Sequence, residues 1–139
     1  MKQLSQHRQR MEDLESVLKQ FDQLEMKTEH FFAHGTYTRV LHIPKDTILT
    51  GKIHRHSCVN IILKGRIKVA TDDGDFEIVA PHVFVSSSGV KKAGYTLEDT
   101  IWINVHPWEG EEDLELIEQQ VIAPNYEALE NQEDLIWHG

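Results

Sequence analysis

With 139 residues and a single cysteine, the chain holds one domain without an internal disulfide, too short for a second independent core and with nothing that points to an oxidising compartment. Its net charge of −9 is unevenly divided: residues 1–92 carry all 14 Lys and Arg against 11 Asp and Glu, whereas residues 93–139 carry 12 acidic residues and no Lys or Arg. An acidic third repels nucleic-acid backbones and anionic membranes, and no apolar run forms a signal-peptide core or a bilayer span, so a soluble cytosolic protein with neither partner is expected.

Three zones follow in chain order: an N-terminal helix over residues 1–30, a β-barrel over 31–108 and an acidic segment over 109–139. In the first, Leu4, Met11, Leu14, Leu18 and Phe21, widened by Val17 and Leu24, form a helical stripe opposite a polar face. That stripe needs cover from its own barrel or from a partner chain.

The second zone reads as short strands separated by turn residues at sandwich-like spacing. The predicted strands are 36–43, 52–57, 59–64, 66–71, 75–79, 82–86, 92–96 and 99–106, with Gly65, Asp73-Gly74, Pro81 and Ser88-Gly89 among the separators. In RIKVAT (66–71) Ile67 and Val69 alternate with Arg66 and Lys68, and in HVFVS (82–86) Val83 and Val85 alternate with His82, Phe84 and Ser86. Each of these strands buries one face.

In the third zone Leu114, Ile117 and Val121 are spaced as on a helix, preceded by Glu111, Glu112 and Asp113, which suit its positive end, and ended by Pro124. Leu135, Ile136 and Trp137 form an apolar hook near the terminus. The acidic segment is expected to meet basic groups of residues 1–92.

Nine histidines are the compositional oddity. His54, His56, Cys58 and Asn60 stand two apart, so one continuous strand would stack them on one face. Two imidazoles at that spacing can ligate a divalent transition metal (Fe, Mn, Ni or Zn), with a third ligand required from another strand. His106, on the last strand beside Trp102 and Asn104, is the candidate. The alternative turns the histidines to solvent and makes Ile53, Val59, Ile61 and Leu63 the core face. Against it, VNIIL is apolar on both sides, as in a strand covered on both faces. His34 and His42 read as surface positions, and His7, His30, His82 and His138 have no partnered spacing.

The order Gly51, His54-x-His56, Gly65, Asp73-Gly74, Pro81 and the SSSGVKK run (86–92) resembles the cupin superfamily over residues 36–107. The resemblance implies an all-β jelly-roll barrel, here with an N-terminal helix and an acidic helical C-terminal segment. It also implies a second sheet face covered by a neighbouring subunit, hence a homo-oligomer. Of the family's metal ligands only His54 and His56 match. Cys58 or Asn60 falls in the glutamate slot, and Lys91 or Lys92 stands where the third histidine would be. A lysine ammonium donates hydrogen bonds and repels a cation. Asn60, Lys92, Tyr95 and Trp102 are therefore candidate contacts for a small anionic ligand. A cysteine in the glutamate slot paired with Tyr95 would also resemble thiol dioxygenases.

The wider string is similar to small cupin-like proteins of tailed bacteriophages. This implies a non-catalytic assembly component or small-ligand binder in the host cytoplasm or virion, with itself and other phage proteins as partners. A metal-dependent oxygenase or isomerase with His54 and His56 as ligands is the alternative, and a sponge for a host nucleotide signal is a weaker one.

Overall fold

The computed structural model describes residues 2–20, 26–71, 74–89 and 91–123. Helix α1 (Lys2–Leu18) is followed by β1 (Thr28–Ala33), β2 (Thr36–Ile43), β3 (Ile48–Thr50), β4 (Ile53–His54), β5 (Cys58–Lys64) and β6 (Arg66–Thr71). Then come β7 (Gly74–Val79), β8 (His82–Ser86), β9 (Ala93–Thr96), β10 (Thr100–Pro107), α2 (Leu114–Val121) and β11 (Ile122–Ala123).

The strands form a five-stranded antiparallel sheet, β1-β2-β10-β5-β8, facing a four-stranded one, β3-β9-β6-β7, with β11-β4 as a separate pair. Ile43 and Ile62 from the larger sheet and Ile67 and Val69 from the smaller are buried between them. The period-two pattern of β6 is realised, with Ile67 and Val69 inward and Arg66 and Lys68 exposed.

Several expectations change. The N-terminal helix stops at Leu18, and residues 28–33 form an edge strand of the larger sheet, so a boundary at residue 30 would cut β1. The expected strand 52–57 shrinks to Ile53–His54, because the chain bends at Arg55 and His56. In β5 the inward set is Cys58, Asn60 and Ile62, which overturns the reading of Val59, Ile61 and Leu63 as core; Leu63 is 56% exposed. Val83 and Val85 likewise face outward, 61% and 68% exposed, while Ser86 is buried. Phe21, Leu24, Asp73, Pro124, the 135–137 hook and His138 lie outside the described residues. No helix among the described residues is long and apolar enough to cross a membrane.

Helix α1 docks on its own barrel. Met11 is buried, His7 Nε2 donates to the Lys91 carbonyl at 2.8 Å, and Glu15 pairs with Lys91 while accepting from Thr50 Oγ1. Lys91 is thus spent on anchoring the helix. Asp113 caps α2, its Oδ1 accepting from the Glu115 and Leu116 amides. Ile117 is buried against Tyr37, with Phe32 and Trp108 packed around them. The acidic third meets basic groups as expected, through Glu118–Lys52 and Glu98–Arg66.

Gly65 joins β5 to β6 between the sheets at φ +96°, where a Cβ would sit 2.3 Å from the Asp99 carbonyl oxygen. Neither the backbone conformation nor the space admits a side chain. Gly65→Ala is expected to destabilise the fold by at least about 2 kcal/mol in urea unfolding; a change within experimental error would show that this turn relaxes freely.

Candidate functional site

The candidate site lies inside the barrel, where β4, β5 and β10 bring their inward side chains to those of β2 and to Lys92. His54 is buried, its carbonyl accepting from the Gly89 amide at 2.9 Å, and its strand is paired with β11. The Cys58 thiol, also buried, lies 3.6 Å from His54 Nδ1 and 3.7 Å from Ser86 Oγ.

Asn60 is the hub of this interior. Its Nδ2 donates to Ser86 Oγ at 3.0 Å and to the Cys58 carbonyl at 3.2 Å, and also contacts the Cys58 sulfur at 3.8 Å. Its Oδ1 accepts from Trp102 Nε1 at 3.0 Å and from Asn104 Nδ2 at 2.7 Å. Two donor hydrogens and two lone pairs are therefore occupied. Asn60 lines the cavity with its polar atoms engaged by protein, and it orients Trp102 and Asn104.

Around this hub lies a cavity of about 70 Å³ whose lining includes Arg39, Lys52, His54, Asn60, Lys92 and Trp102. A second cavity of about 290 Å³ shares Arg39, Lys52 and His54 and adds His106, Leu114 and Glu118, so that α2 roofs it. His106 is buried between Tyr37, which stacks on it at 5.9 Å, and His54, whose ring meets its edge at 4.9 Å. Its Nδ1 is buried without a hydrogen-bond partner. Beyond Tyr37, whose hydroxyl lies 2.7 Å from His30 Nδ1, the row of rings continues.

Electrostatics favour anions here. Burial first, and then the neighbouring His106, Lys92, Arg39 and Lys52, lower the His54 pKa from 6.5 to about 3. Burial, Arg39 and His56 lower that of His106 to about 4. Both imidazoles are neutral at pH 7, each offering one donor and one acceptor, while Arg39, Lys52 and Lys92 supply positive charge. The pair with Lys52 holds the exposed Glu118 carboxyl below its usual range.

Two sequence-based placements are corrected. His56 does not share a face with His54: the bend after β4 carries it, half-buried, to a separate surface depression beside Trp108 and Pro107. The histidine brought to His54 is His106. Tyr95 sits on the outer face of the smaller sheet opposite Lys68 and Ile48, its hydroxyl donating to Asp46 at 2.9 Å, so it contacts neither Cys58 nor the cavity. Lys92 and Trp102 do line the cavity, and His34 and His42 are peripheral, the latter paired with Glu29 at 2.9 Å.

A metal of the kind the cupin resemblance implies does not suit this donor set. Among the described residues no three of His, Cys, Asp and Glu group to hold an ion, and the two buried histidines sit in a field of three cations. Sequence reasoning missed Arg39, Lys52 and Asn104 as cavity residues. A signal existed for Arg39, the one cation in the inward set Tyr37, Arg39, Leu41 and Ile43 of β2.

No protein-family model matches the chain, and no curated protein sequence does. Solved structures do. A cupin superfamily protein from Desulfitobacterium hafniense matches with a TM-score of 0.53 at 9% identity, over 64% of this chain and 83% of that one. KdgF from Halomonas sp. matches with a TM-score of 0.52 at 14% identity, over 66% and 93%. The cupin domain of Cnp3 from Schizosaccharomyces pombe matches with a TM-score of 0.52 at 14% identity, over 74% and 77%.

The depressed histidine pKa values set a pH dependence. The unfolded chain takes up protons near the ordinary value of 6.5, and the native chain only near 3 to 4. Stability is therefore full above the unfolded value and is lost as pH falls toward the native ones, by up to about 1.4 kcal/mol per pH unit for each histidine. Urea midpoints from about pH 7 to about pH 4.5 are expected to fall, less steeply in His54→Gln and His106→Gln. Equal slopes in wild type and both variants would contradict the burial of neutral imidazoles. At these low identities the structural matches speak to architecture alone, and that architecture is the cupin jelly roll.

Proposed function

We propose that the protein is a non-catalytic cupin-fold binder of a small anionic ligand, taken in the cavity between His54 and Lys92. The observation that carries this reading is the convergence of Arg39, Lys52 and Lys92 on an interior whose histidines are held neutral. An anion entering there meets Arg39 and Lys92 in a partly enclosed space, where charge-assisted hydrogen bonds are stronger than in bulk water. Lys92 takes the head of the ligand, with Trp102 as a wall held by Asn60.

Calorimetric titration with acetate, succinate and inorganic phosphate tests the reading. At least one of these anions is expected to bind to wild type, and about tenfold or more more weakly to Lys92→Gln and Arg39→Gln. Elemental analysis of the same preparations addresses the competing reading, a metal-dependent enzyme using His54, His56 and His106. A stoichiometric transition metal in wild type that is lost in His54→Ala would favour that enzyme over the binder.

The assembly side of the reading, association with another copy of the chain, draws on the outer face of the larger sheet. Val59 stands opposite Val85 and Ile61 opposite Val83 on that face, and Leu63 continues it. A contiguous exposed apolar patch of this kind suits another subunit. Light scattering is expected to give a homo-oligomer, reduced to monomer by Val83→Lys; a monomeric wild type would leave the face without the role assigned to it.

A further inference from the structure

The strands β7 and β8 are consecutive in sequence but form the edges of different sheets, so no hydrogen bonds join them and the sandwich is open along that side. The opening is a slot of about 440 Å³, within the range of small-molecule pockets. Its walls are Val69, Phe76, Ile78, Val79 and Phe84, and its inner end reaches Ser86 and Lys92. Glu77, exposed, and His82 on β8 also line it.

The slot abuts the polar cavity. Lys92 lines both, Ser86 Oγ accepts from Asn60 Nδ2 at 3.0 Å, and the Phe84 ring meets the edge of Trp102 at 6.0 Å. An apolar channel therefore ends at a cation, beside a cavity of about 70 Å³ that has room for a head group and little more. A ligand that fills both must have an apolar body and an anionic end.

From this juxtaposition we infer that the ligand is an amphiphilic monocarboxylate, with its carboxylate at Lys92 and Arg39 and its hydrocarbon body in the slot between β7 and β8. The inference rests on the anion-binding reading above and adds the ligand class. Phe76, 52% exposed although it lies opposite the buried Val69 in register, is the slot residue left uncovered for such a body.

Calorimetric titration with acetate, butanoate, hexanoate and octanoate tests it. Affinity is expected to tighten about fourfold for each methylene added, as burial of a methylene group does. Phe76→Ser is expected to flatten that dependence while acetate affinity stays unchanged, and Lys92→Gln to weaken the whole series. Val79→Ser, at a position 60% exposed, replaces Phe76→Ser if the latter fails to fold. Octylammonium, with a comparable chain and the opposite charge, is expected to bind at least about tenfold more weakly than octanoate. Anion binding without any gain from chain length overturns this inference and leaves the anion-binding reading standing. Octylammonium binding as tightly as octanoate overturns it too, since the chain would then sit on the outer apolar face. Absence of binding by every anion overturns both.

Discussion

The interior of this barrel depends on the saturation of one amide. Asn60 is fully buried, and a buried amide without partners costs several kcal/mol, so its place at the centre is tolerable only because all four of its hydrogen bonds are made. Those bonds link β5 to β8 through Ser86 and to β10 through Trp102 and Asn104. The same amide thus holds three adjacent strands in register and sets the indole and the second asparagine on the cavity wall. If Asn60 were replaced by a residue of similar size without the amide, Trp102 Nε1 would lose its acceptor, at about 1–3 kcal/mol, and Ser86 and Asn104 would keep only their contacts to the Cys58 sulfur.

With Asn60 saturated, the charge around it becomes informative. Arg39, Lys52 and Lys92 approach two imidazoles that burial keeps unprotonated, which leaves net positive potential in a partly enclosed space. The acidic third of the chain supplies counter-charge from outside: α2 brings Glu118 to Lys52 at the roof, and β11 then pairs with the strand that bears His54. Exposed ion pairs of this kind stabilise by at most about 1 kcal/mol, so the seat of α2 comes chiefly from Ile117 buried against Tyr37. The carboxylate roof also screens the cationic mouth.

The larger sheet carries apolar residues on both faces, and the two faces serve different ends. Inward, Ile62 closes the core beside the polar hub; outward, Leu63, Val83 and Val85 remain uncovered. A strand with hydrophobic residues on both sides needs two apolar neighbours, and within one chain only one is present. The slot between β7 and β8 has a related origin, because strands in different sheets cannot shield each other's edges by pairing.

Residue order alone determined the β-rich architecture. Strand spacing, Gly65 and the alternation in RIKVAT place β2, β6 and β8 over the residues predicted, because a period of two and turn residues are local properties. The cupin resemblance pointed to Lys91 or Lys92, and the strand face shared with His106 to Trp102; Lys92 and Trp102 line the cavity. Tertiary structure decided which side of each strand is inside, since VNIIL and HVFVS carry apolar residues on both faces or on the outer one. It also decided the histidine partnership. The bend after His54 sends His56 away and leaves His106, 52 residues distant in sequence, as the neighbour. Tyr95 shows the same limit: its strand was predicted, but the sheet to which that strand belongs turns its side chain outward. Periodicity fixes alternation along a strand, whereas the face that becomes the interior is set by the strands packed across from it.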